Sequence, residues 1–333
     1  MSKVNDIAVV PSLIKHTRKR KIAALVAQPI PVTHDVFVPP VGQIDFSKLD
    51  NINQYSIDSL KLVNRFSTLV YGYDFSTNPP SRIFCNFVES KDIDTFMDGI
   101  GRVYNILYSK PNIYTPTILR CTRVTDGKER TYVIFKDYDY KIDMYSCIKT
   151  LGGKLLPEIY VHSLFLQLVN AFEFCHSNHI SLQDIKLSKI WFTDANCTKL
   201  VIGDLSNSII SEHHLVEKND WLFDQWSRNY AAPEIYCKIQ RYNPYKTDIW
   251  SLGVILYFLL TGNYPFDFEN TLNEYKLFIP YHVSEEAKYL LTNMLNINPL
   301  QRISIQDIKL NLWVMNGAPS SVINSESDQS VPL

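Results

Sequence analysis

The sequence predicts an α+β fold with two lobes: a small N-terminal lobe of strands with one helix, and a larger, helical C-terminal lobe. Segments between residues 60 and 135 are rich in β-branched and aromatic residues, which is typical of strands. Beyond residue 156, apolar residues recur at helical spacing. With 333 residues, the chain is long enough to bury a large core in two lobes.

The N-terminal lobe is predicted to contain strands with a helix between the second and the third. Apolar residues at helical spacing, such as Phe96, Ile100 and Val103, predict this helix over Asp92–Leu107. The dipeptide Asp126–Gly127 predicts a hairpin turn between the last two strands. The predicted strands are Leu62–Tyr73, Arg82–Val88, Ile118–Val124 and Thr131–Phe135.

A short linker, Lys136–Tyr140, leads to the helical lobe. Its first long helix is predicted over Pro157–Ser177, because proline suits the first turn of a helix. The apolar positions of this helix are Val161, Leu164, Phe165, Leu168, Phe172 and Cys175. Two short strands are then predicted, followed by a central apolar helix and two amphipathic helices: Ile190–Thr193, Lys199–Ile202, Asp248–Tyr257, Ser284–Leu295 and Ser304–Trp313.

The composition argues against several functional classes. A net charge of −1 at pH 7 gives no general attraction to nucleic acids or membranes, so we expect neither as a direct partner. The six cysteines show no CxxC or metal-ligand spacing, so we expect reduced thiols, no metal site and a nuclear or cytoplasmic location. No N-terminal apolar segment resembles a signal peptide, and the longest apolar stretch, Ile249–Leu260, is too short to span a bilayer.

The chain divides into four predicted parts: a flexible N-terminal tail (1–45), an N-terminal lobe (46–138), a C-terminal lobe (139–317) and a flexible C-terminal tail (318–333). Repeated prolines and the lack of an apolar period are the reasons for expecting the first tail to be flexible. This tail contains a basic cluster, which is either a nuclear-import signal or an ordinary solvated charge cluster. The cluster consists of Arg18, Lys19, Arg20 and Lys21.

The loop after the first long helix resembles the catalytic loop of protein kinases, H-R-D-L-x-x-x-N, and the turn that follows resembles D-F-G. The chain retains Asp184 and Lys186 of the loop and Asp204 of the turn. The resemblance implies a base for a substrate hydroxyl, a contact to the γ-phosphate and a magnesium ligand, respectively. Other positions of the two motifs are changed, to Leu182, Gln183, Lys189 and Ser206.

The changed and missing groups are mostly those that bind phosphate and metal. The strand lysine that binds the α- and β-phosphates in kinases falls at Asn86, which cannot supply a cation. The first hairpin offers only Gly72 in place of a glycine-rich loop. Lys189 replaces the metal-binding asparagine and could either mimic a cation or block one. Gln183 replaces the arginine that receives an activation-loop phosphate in many kinases, which argues against that switch.

Other kinase motifs are intact, and their roles are structural. Ala232–Glu234 matches the A-P-E motif, and the resemblance implies an ion pair between Glu234 and the distant Arg302. Asp248 and Trp250 belong to a D-x-W-S-x-G motif, whose aspartate is expected to accept backbone N–H groups of the catalytic loop. These motifs and their order predict a bilobal protein-kinase fold with a degraded active site.

The retained residues Asp184, Lys186 and Asp204 have two interpretations. Either they form hydrogen bonds that hold the loop, or they support residual chemistry. Phosphoryl transfer depends mainly on positioning and neutralising the phosphates, so we favour the first interpretation and expect no catalytic residues and no required cofactor. Weak binding of ATP and magnesium stays open, as does an atypical, low-activity Ser/Thr protein kinase that uses Asp184 and Asp204.

Several motifs resemble the Tribbles family of pseudokinases. Ser181–Lys189 is similar to that family's altered loop, L-x-D-L-K-L-x-K/R. Lys136–Tyr138 followed by Asp143–Ser146 resembles its hinge and next helix, and Asp307–Trp313 resembles the end of its last helix. The family usually replaces the metal-binding turn by Ser-Leu-Glu, whereas this chain keeps Asp204.

The C-terminal tail resembles the Tribbles motif D-Q-x-V-P, with Asp328, Gln329, Val331 and Pro332 at the matching positions. The resemblance implies docking on a ubiquitin ligase of the constitutive-photomorphogenesis type. It also implies a client such as a bZIP transcription factor, and MAP kinase kinases as a further class of partner. We therefore expect an inactive scaffold that acts in MAP-kinase or stress signalling. A pseudokinase that sequesters MAP kinase kinases without a ligase is an alternative.

Overall fold

The computed structural model describes most of the two lobes. The described residues are 55–57, 62–63, 68–74, 76, 78–89, 100–125, 129–136, 142–152, 154–213, 215–217, 227–236, 240–266 and 276–317. Both predicted tails, the basic cluster, the ligase-docking motif and the Asp126–Gly127 turn lie outside these residues, and so does all of the predicted linker except Lys136.

The N-terminal lobe contains one antiparallel sheet. Its strands are β1 (Tyr55–Ile57), β2 (Leu62–Val63), β3 (Thr68–Asp74), β4 (Ser81–Glu89), β5 (Ile118–Thr125) and β6 (Glu129–Lys136). They lie in the order β1-β3-β4-β6-β5, and β2 pairs with β3. The predicted single strand over Leu62–Tyr73 is wrong, because β2 folds back on β3 and places Leu62 opposite Leu69.

The helix of the N-terminal lobe packs against β5. Its described part, α1 (Arg102–Ser109), buries Val103, Tyr104 and Leu107 and ends two residues beyond the predicted end. The first part of the predicted helix, 92–99, lies outside the described residues. The spacing of the buried residues places one face of α1 against the sheet, as an amphipathic helix requires.

The C-terminal lobe combines short strands with the long helices. Its strands are β7 (Ile142–Asp143), β8 (Ile180–Ser181), β9 (Ile190–Phe192), β10 (Leu200–Ile202), β11 (Ile209–Ile210), β12 (Val216–Glu217) and β13 (Arg241–Tyr242). Its helices are α2 (Met144–Thr150), α3 (Glu158–Ser177), α4 (Pro233–Tyr236), α5 (Pro244–Thr261), α6 (Glu285–Met294), α7 (Ile305–Lys309) and α8 (Leu312–Asn316). Strands β10, β9 and β7 form one small sheet next to the catalytic-loop region.

The core of this lobe forms around α3 and α5. All the predicted apolar positions of α3 are buried, which confirms its helical period. Helix α5 is buried on nearly every side, is capped by Asn243 at its start and is terminated by Gly262, whose φ is 73°. Within the part of the chain that the structure describes, no helix combines the length and the apolar character needed to cross a membrane.

The predicted single helix over Ser304–Trp313 is wrong, because it is interrupted before its end. Asn311 has extended backbone angles (φ −69°, ψ 138°), and its Oδ1 accepts the backbone N–H of Trp313 at 2.9 Å. Asparagine is a strong N-terminal cap, so it ends α7 and starts α8 as a separate helix. Trp313 itself is fully buried, and its indole N–H donates to Glu158 at 2.7 Å.

Candidate functional site

The catalytic-loop region begins where β8 ends and has an unusual backbone. Gln183 and Asp184 both have positive φ angles, 50° and 25°, a region that non-glycine residues adopt at a cost. Asp248 on α5 supports this conformation. Its carboxylate accepts the backbone N–H groups of Leu182 at 2.8 Å and Gln183 at 2.9 Å. The role expected for Asp248 is therefore present in the structure.

Two further side chains, which the sequence analysis did not single out, complete the surroundings of Asp248. Ser181 donates its hydroxyl to Asp248 Oδ2 at 2.9 Å, and His176 Nε2 lies 2.9 Å from the same oxygen. Because a buried carboxylate needs several partners, these contacts explain how Asp248 is retained with only 1% exposure. The position of His176 in the last turn of α3, close to the loop, was the available signal.

Gln183 is held by neutral partners and is 1% exposed. Its side-chain amide donates to Ser181 Oγ at 2.6 Å, and its Oε1 accepts the hydroxyl of Tyr242 at 2.8 Å. Neighbouring Leu182 is likewise buried. Neither side chain carries a positive charge, and the lack of a switch by activation-loop phosphorylation stays a prediction.

The loop and the turn bring two aspartates and two lysines together. Lys189 Nζ lies 3.5 Å from Asp184 Oδ2 and 4.0 Å from Asp204 Oδ2. Lys186 Nζ lies 3.7 Å from Asp184 Oδ2. The side chain of Lys189 is only 8% exposed, so its ammonium is a fixed part of this cluster. We call Asp184, Lys186, Lys189 and Asp204 the acid–lysine cluster.

The pKa of the Asp204 carboxyl group is lowered, which favours its charged form. Desolvation by burial raises the pKa of Asp204. The Lys189 ammonium and the hydrogen bonds from Ser206 lower it by more, so the pKa lies below its ordinary value. The backbone N–H of Ser206 donates to Asp204 Oδ1 at 2.9 Å. Ser206, which replaces the glycine of the turn, therefore still provides the carboxylate with a backbone donor.

Ser227 is a site residue that the sequence analysis missed. Its backbone N–H donates to Asp184 Oδ1 at 2.7 Å, and its hydroxyl accepts from Lys186 Nζ at 2.7 Å. It lies 43 residues after Asp184, in a segment without a regular apolar pattern, so spacing gave no signal. Ser227 thus joins the activation segment to the acid–lysine cluster.

The comparisons with known proteins agree with this arrangement. The family model described as "Protein kinase domain" matches residues 102–314. The chain belongs to the protein kinase family. Human Tribbles homolog 1 is 32% identical over 237 residues, a match that covers 67% of this chain and 61% of that protein. These findings confirm the predicted bilobal kinase fold and the resemblance to Tribbles, so we describe the chain as a Tribbles-family kinase-like protein.

Other relatives of this kinase-family chain include both Tribbles proteins and kinases. Drosophila melanogaster Tribbles is 31% identical over 208 residues, which cover 58% of this chain and 42% of that protein. The "Serine/threonine-protein kinase SIK2" of Gallus gallus is 34% identical over 229 residues, or 67% of this chain and 27% of that protein. The chain thus matches less than two thirds of the length of these relatives.

The A-P-E motif of the kinase fold forms its expected ion pair. Arg302 donates from Nη1 to Glu234 Oε1 at 2.7 Å and from Nη2 to Glu234 Oε2 at 2.9 Å. The guanidinium also donates to the carbonyl oxygens of Lys246 and Asn296, and its carbon lies 5.0 Å from the centre of the Trp250 ring. This bidentate pair anchors the end of the activation segment to the helical lobe.

Two kinase positions bear on the binding of nucleotide and metal. Asn86 lies within β4, where its backbone pairs with Leu69 on one side and Val133 on the other. The described residues contain no group of three or more His, Cys, Asp or Glu side chains arranged as metal ligands. Moreover, the Lys189 ammonium stands at the position of the metal-binding asparagine and lies 4.0 Å from Oδ2 of Asp204, the expected magnesium ligand. A cation held this close to Asp204 would repel magnesium, so the site fits the metal poorly.

Proposed function

We propose that this Tribbles-family protein is a catalytically inactive scaffold that binds a client protein and recruits a ubiquitin ligase to it. The observation that carries the inactivity is the position of the Lys189 ammonium, 3.5 Å from Asp184 and 4.0 Å from Asp204. In an active kinase, metal ions at this place neutralise the phosphates of ATP. Here a lysine of the chain takes up the negative charge of both carboxylates.

The charges of the acid–lysine cluster are already balanced within the chain. Asp184 and Asp204 contribute two negative charges, and Lys186 and Lys189 contribute two positive charges. An ATP molecule would therefore meet no excess of positive charge there, and Asn86 cannot supply a cation from β4. This balance supports loss of phosphoryl transfer and retention of the carboxylates for structural reasons.

The scaffold part of the proposal comes from the sequence of the C-terminal tail. Val331 and Pro332 suit an apolar pocket in an extended conformation, while Asp328 and Gln329 suit polar contacts at its edge. A client such as a bZIP transcription factor would bind to the lobes, and the constitutive-photomorphogenesis ligase to the tail. Binding both on one chain raises the effective concentration of the client at the ligase, so no catalytic group is required.

Two further parts of the proposal concern location and signalling. The basic cluster Arg18–Lys21 favours nuclear import, so we propose nuclear and cytoplasmic pools. MAP kinase kinases are the proposed additional partners, through the surface of the last helices. On that surface Leu310, Leu312 and Met315 are 72%, 64% and 62% exposed, whereas Trp313 is buried, so the exposed side chains would make the contact.

The inactivity can be tested with purified full-length protein. We expect no incorporation of labelled phosphate from ATP and magnesium above that of an Asp184→Asn control. We also expect no magnesium-dependent thermal shift with ATP. Lys189→Asn should produce such a magnesium-dependent shift, because it removes the ammonium and adds the missing oxygen ligand. Wild-type incorporation that disappears in Asp184→Asn would refute the proposal.

The ligase-recruiting role has a separate test. Deleting residues 328–333 should abolish recovery of the ligase in a pull-down, while Asn324→Ala with Ser325→Ala, outside the motif, should leave recovery unchanged. Equal recovery with and without the motif would remove the role assigned to the tail. Retained binding of MAP kinase kinases in that case would favour sequestration without a ligase.

A second candidate function is a low-activity Ser/Thr protein kinase. It is favoured by the convergence of Asp184, Lys186 and Asp204 in one cluster, with Ser227 in hydrogen-bonding contact with the first two. The phosphate-incorporation assay decides between the two candidates, because only this one predicts activity that depends on Asp184.

A further inference from the structure

Trp191 lies on the opposite face of β9 from its two neighbours and packs, only partly buried, against the edge of the core. Its neighbours in the strand, Ile190 and Phe192, are 0% and 2% exposed and belong to that core. Successive side chains of a strand point to opposite faces, so the indole of Trp191 projects the other way, where it is half-buried.

The indole lies directly against Gly203, the residue before Asp204. A Cβ atom on Gly203 would lie 1.9 Å from Trp191 Cδ2 and 2.2 Å from Cε2 and Cε3. No side chain can share that space with the ring, so the tryptophan requires glycine at this position. The Gly203 N–H donates to the carbonyl oxygen of Lys189 at 2.8 Å, so the glycine on which the ring packs is bonded to the backbone of the acid–lysine cluster.

The position of the ring relates it to the nucleotide cleft of a kinase. Asp204 marks the phosphate end, because the corresponding aspartate binds the metal that contacts the phosphates. Strand β9 lies between β10, which leads into Asp204, and β7, which follows the connection between the lobes. Trp191 pairs with Val201 of β10 and Asp143 of β7. The ring therefore lies between the phosphate end and the interlobe connection, where the base of a nucleotide would be placed.

We propose that Trp191 occupies the base-binding position of the cleft and excludes purine nucleosides from it. The indole would close the base end of the former nucleotide site, and the Lys189 ammonium would close its metal end. This inference deepens the proposed inactivity and rests on it. It predicts that a smaller side chain at position 191 restores binding of the nucleoside alone, without phosphates or metal.

The test uses Trp191→Leu in the full-length protein and adenosine as the ligand. Adenosine carries no phosphate, so the charges of Lys186 and Lys189 do not enter the measurement. Isothermal titration calorimetry should show saturable adenosine binding to the variant and none to the wild type. The affinity of the variant should be at least about tenfold above the detection limit set by the wild type. The matched control is Phe192→Leu in the same strand, which opens space in the helical core and should gain no adenosine binding.

The contact itself is tested by adding a methyl group at Gly203. Gly203→Ala should lower the melting temperature of the wild type and should cost clearly less in the Trp191→Leu background, because the ring is then absent. Trp191→Phe serves in both experiments if Trp191→Leu does not fold.

Equal adenosine binding by wild type and variant, or its absence from both, would overturn the inference. So would an equal cost of Gly203→Ala in the two backgrounds. Failure of the proposed inactivity is distinguishable, because it is read from phosphate transfer by the wild type and not from nucleoside binding by a variant.

Discussion

The pair formed by Glu234 and Arg302 gives the sharpest test of what holds the activation segment to the helical lobe. Glu234→Gln keeps the shape of the side chain but removes the charge that offsets a guanidinium with 0% exposure. The remaining acceptors of Arg302 are the carbonyl oxygens of Lys246 and Asn296, which carry no net charge. Removing one partner of a buried pair typically costs about 3–5 kcal/mol, and we expect a loss of unfolding free energy in that range.

A matched control is available on the surface of the same lobe. Arg241 and Glu217 form an ion pair at 3.1 Å whose side chains are 66% and 79% exposed. Because water screens exposed pairs, Glu217→Gln should cost about 0–1 kcal/mol. Urea denaturation followed by tryptophan fluorescence measures both variants, since the Trp250 ring lies beside the Arg302 guanidinium.

The result that would refute this reasoning is a similar cost for the two variants. A further variant separates the buried charge from the packing of the side chains. Replacing both partners, Glu234→Leu with Arg302→Met, removes the charges together, so it should be less destabilising than Glu234→Gln alone. A double variant at least as unstable as the single variant would show that packing, and not the unpaired charge, dominates the cost.

Three further predictions follow from other contacts. Tyr242→Phe should cost about 1–3 kcal/mol in urea denaturation, because it leaves the buried Oε1 of Gln183 without its donor; an unchanged midpoint would contradict this. Because the pKa of Asp204 is lower in the folded state than its ordinary value of 3.8, its carboxylate should stabilise the fold at pH values above 3.8. This stabilisation should be lost as the pH falls through the lowered pKa. Acid unfolding of Asp204→Asn should lack that component, and parallel pH profiles of the two proteins would argue against it. Gly262→Ala should cost about 1–2 kcal/mol because φ is 73°. The nearest atom to a new Cβ, in Leu155, lies 3.6 Å away, so the cost should come from the backbone and not from a clash; an unchanged melting temperature would contradict this.

The long helices could be predicted from the sequence because their signals are periodic and local. Helix α3 differs from its prediction by one residue, and its apolar positions are all buried. The failures occurred where a single residue outweighed the pattern. At Asn311 the local cap overrides an apolar period that continues into Trp313. Strand pairing likewise separates β2 from β3, although both are rich in apolar residues.

The contacts of the site were harder to predict than the identity of its residues. The substitution by Lys189 was visible in the sequence, but its position between two carboxylates depends on the left-handed backbone at Gln183 and Asp184. The partner of Gln183, Tyr242, lies 59 residues further along the chain, and no periodicity connects the two. Long-range side-chain contacts of this kind depend on the complete fold.

The contacts around Asp248 explain how the loop keeps its shape through groups of the chain itself. Asp248 accepts the backbone N–H groups of the loop, and Ser181 and His176 satisfy the remaining capacity of its carboxylate. All these partners belong to the chain, so its own side chains hold the left-handed backbone in place. Mutations in the phosphate-binding groups would therefore remove chemistry without removing the fold. The retained Asp248, Glu234 and Arg302 belong to the groups that hold the fold, because their hydrogen bonds fix the loop and the end of the activation segment.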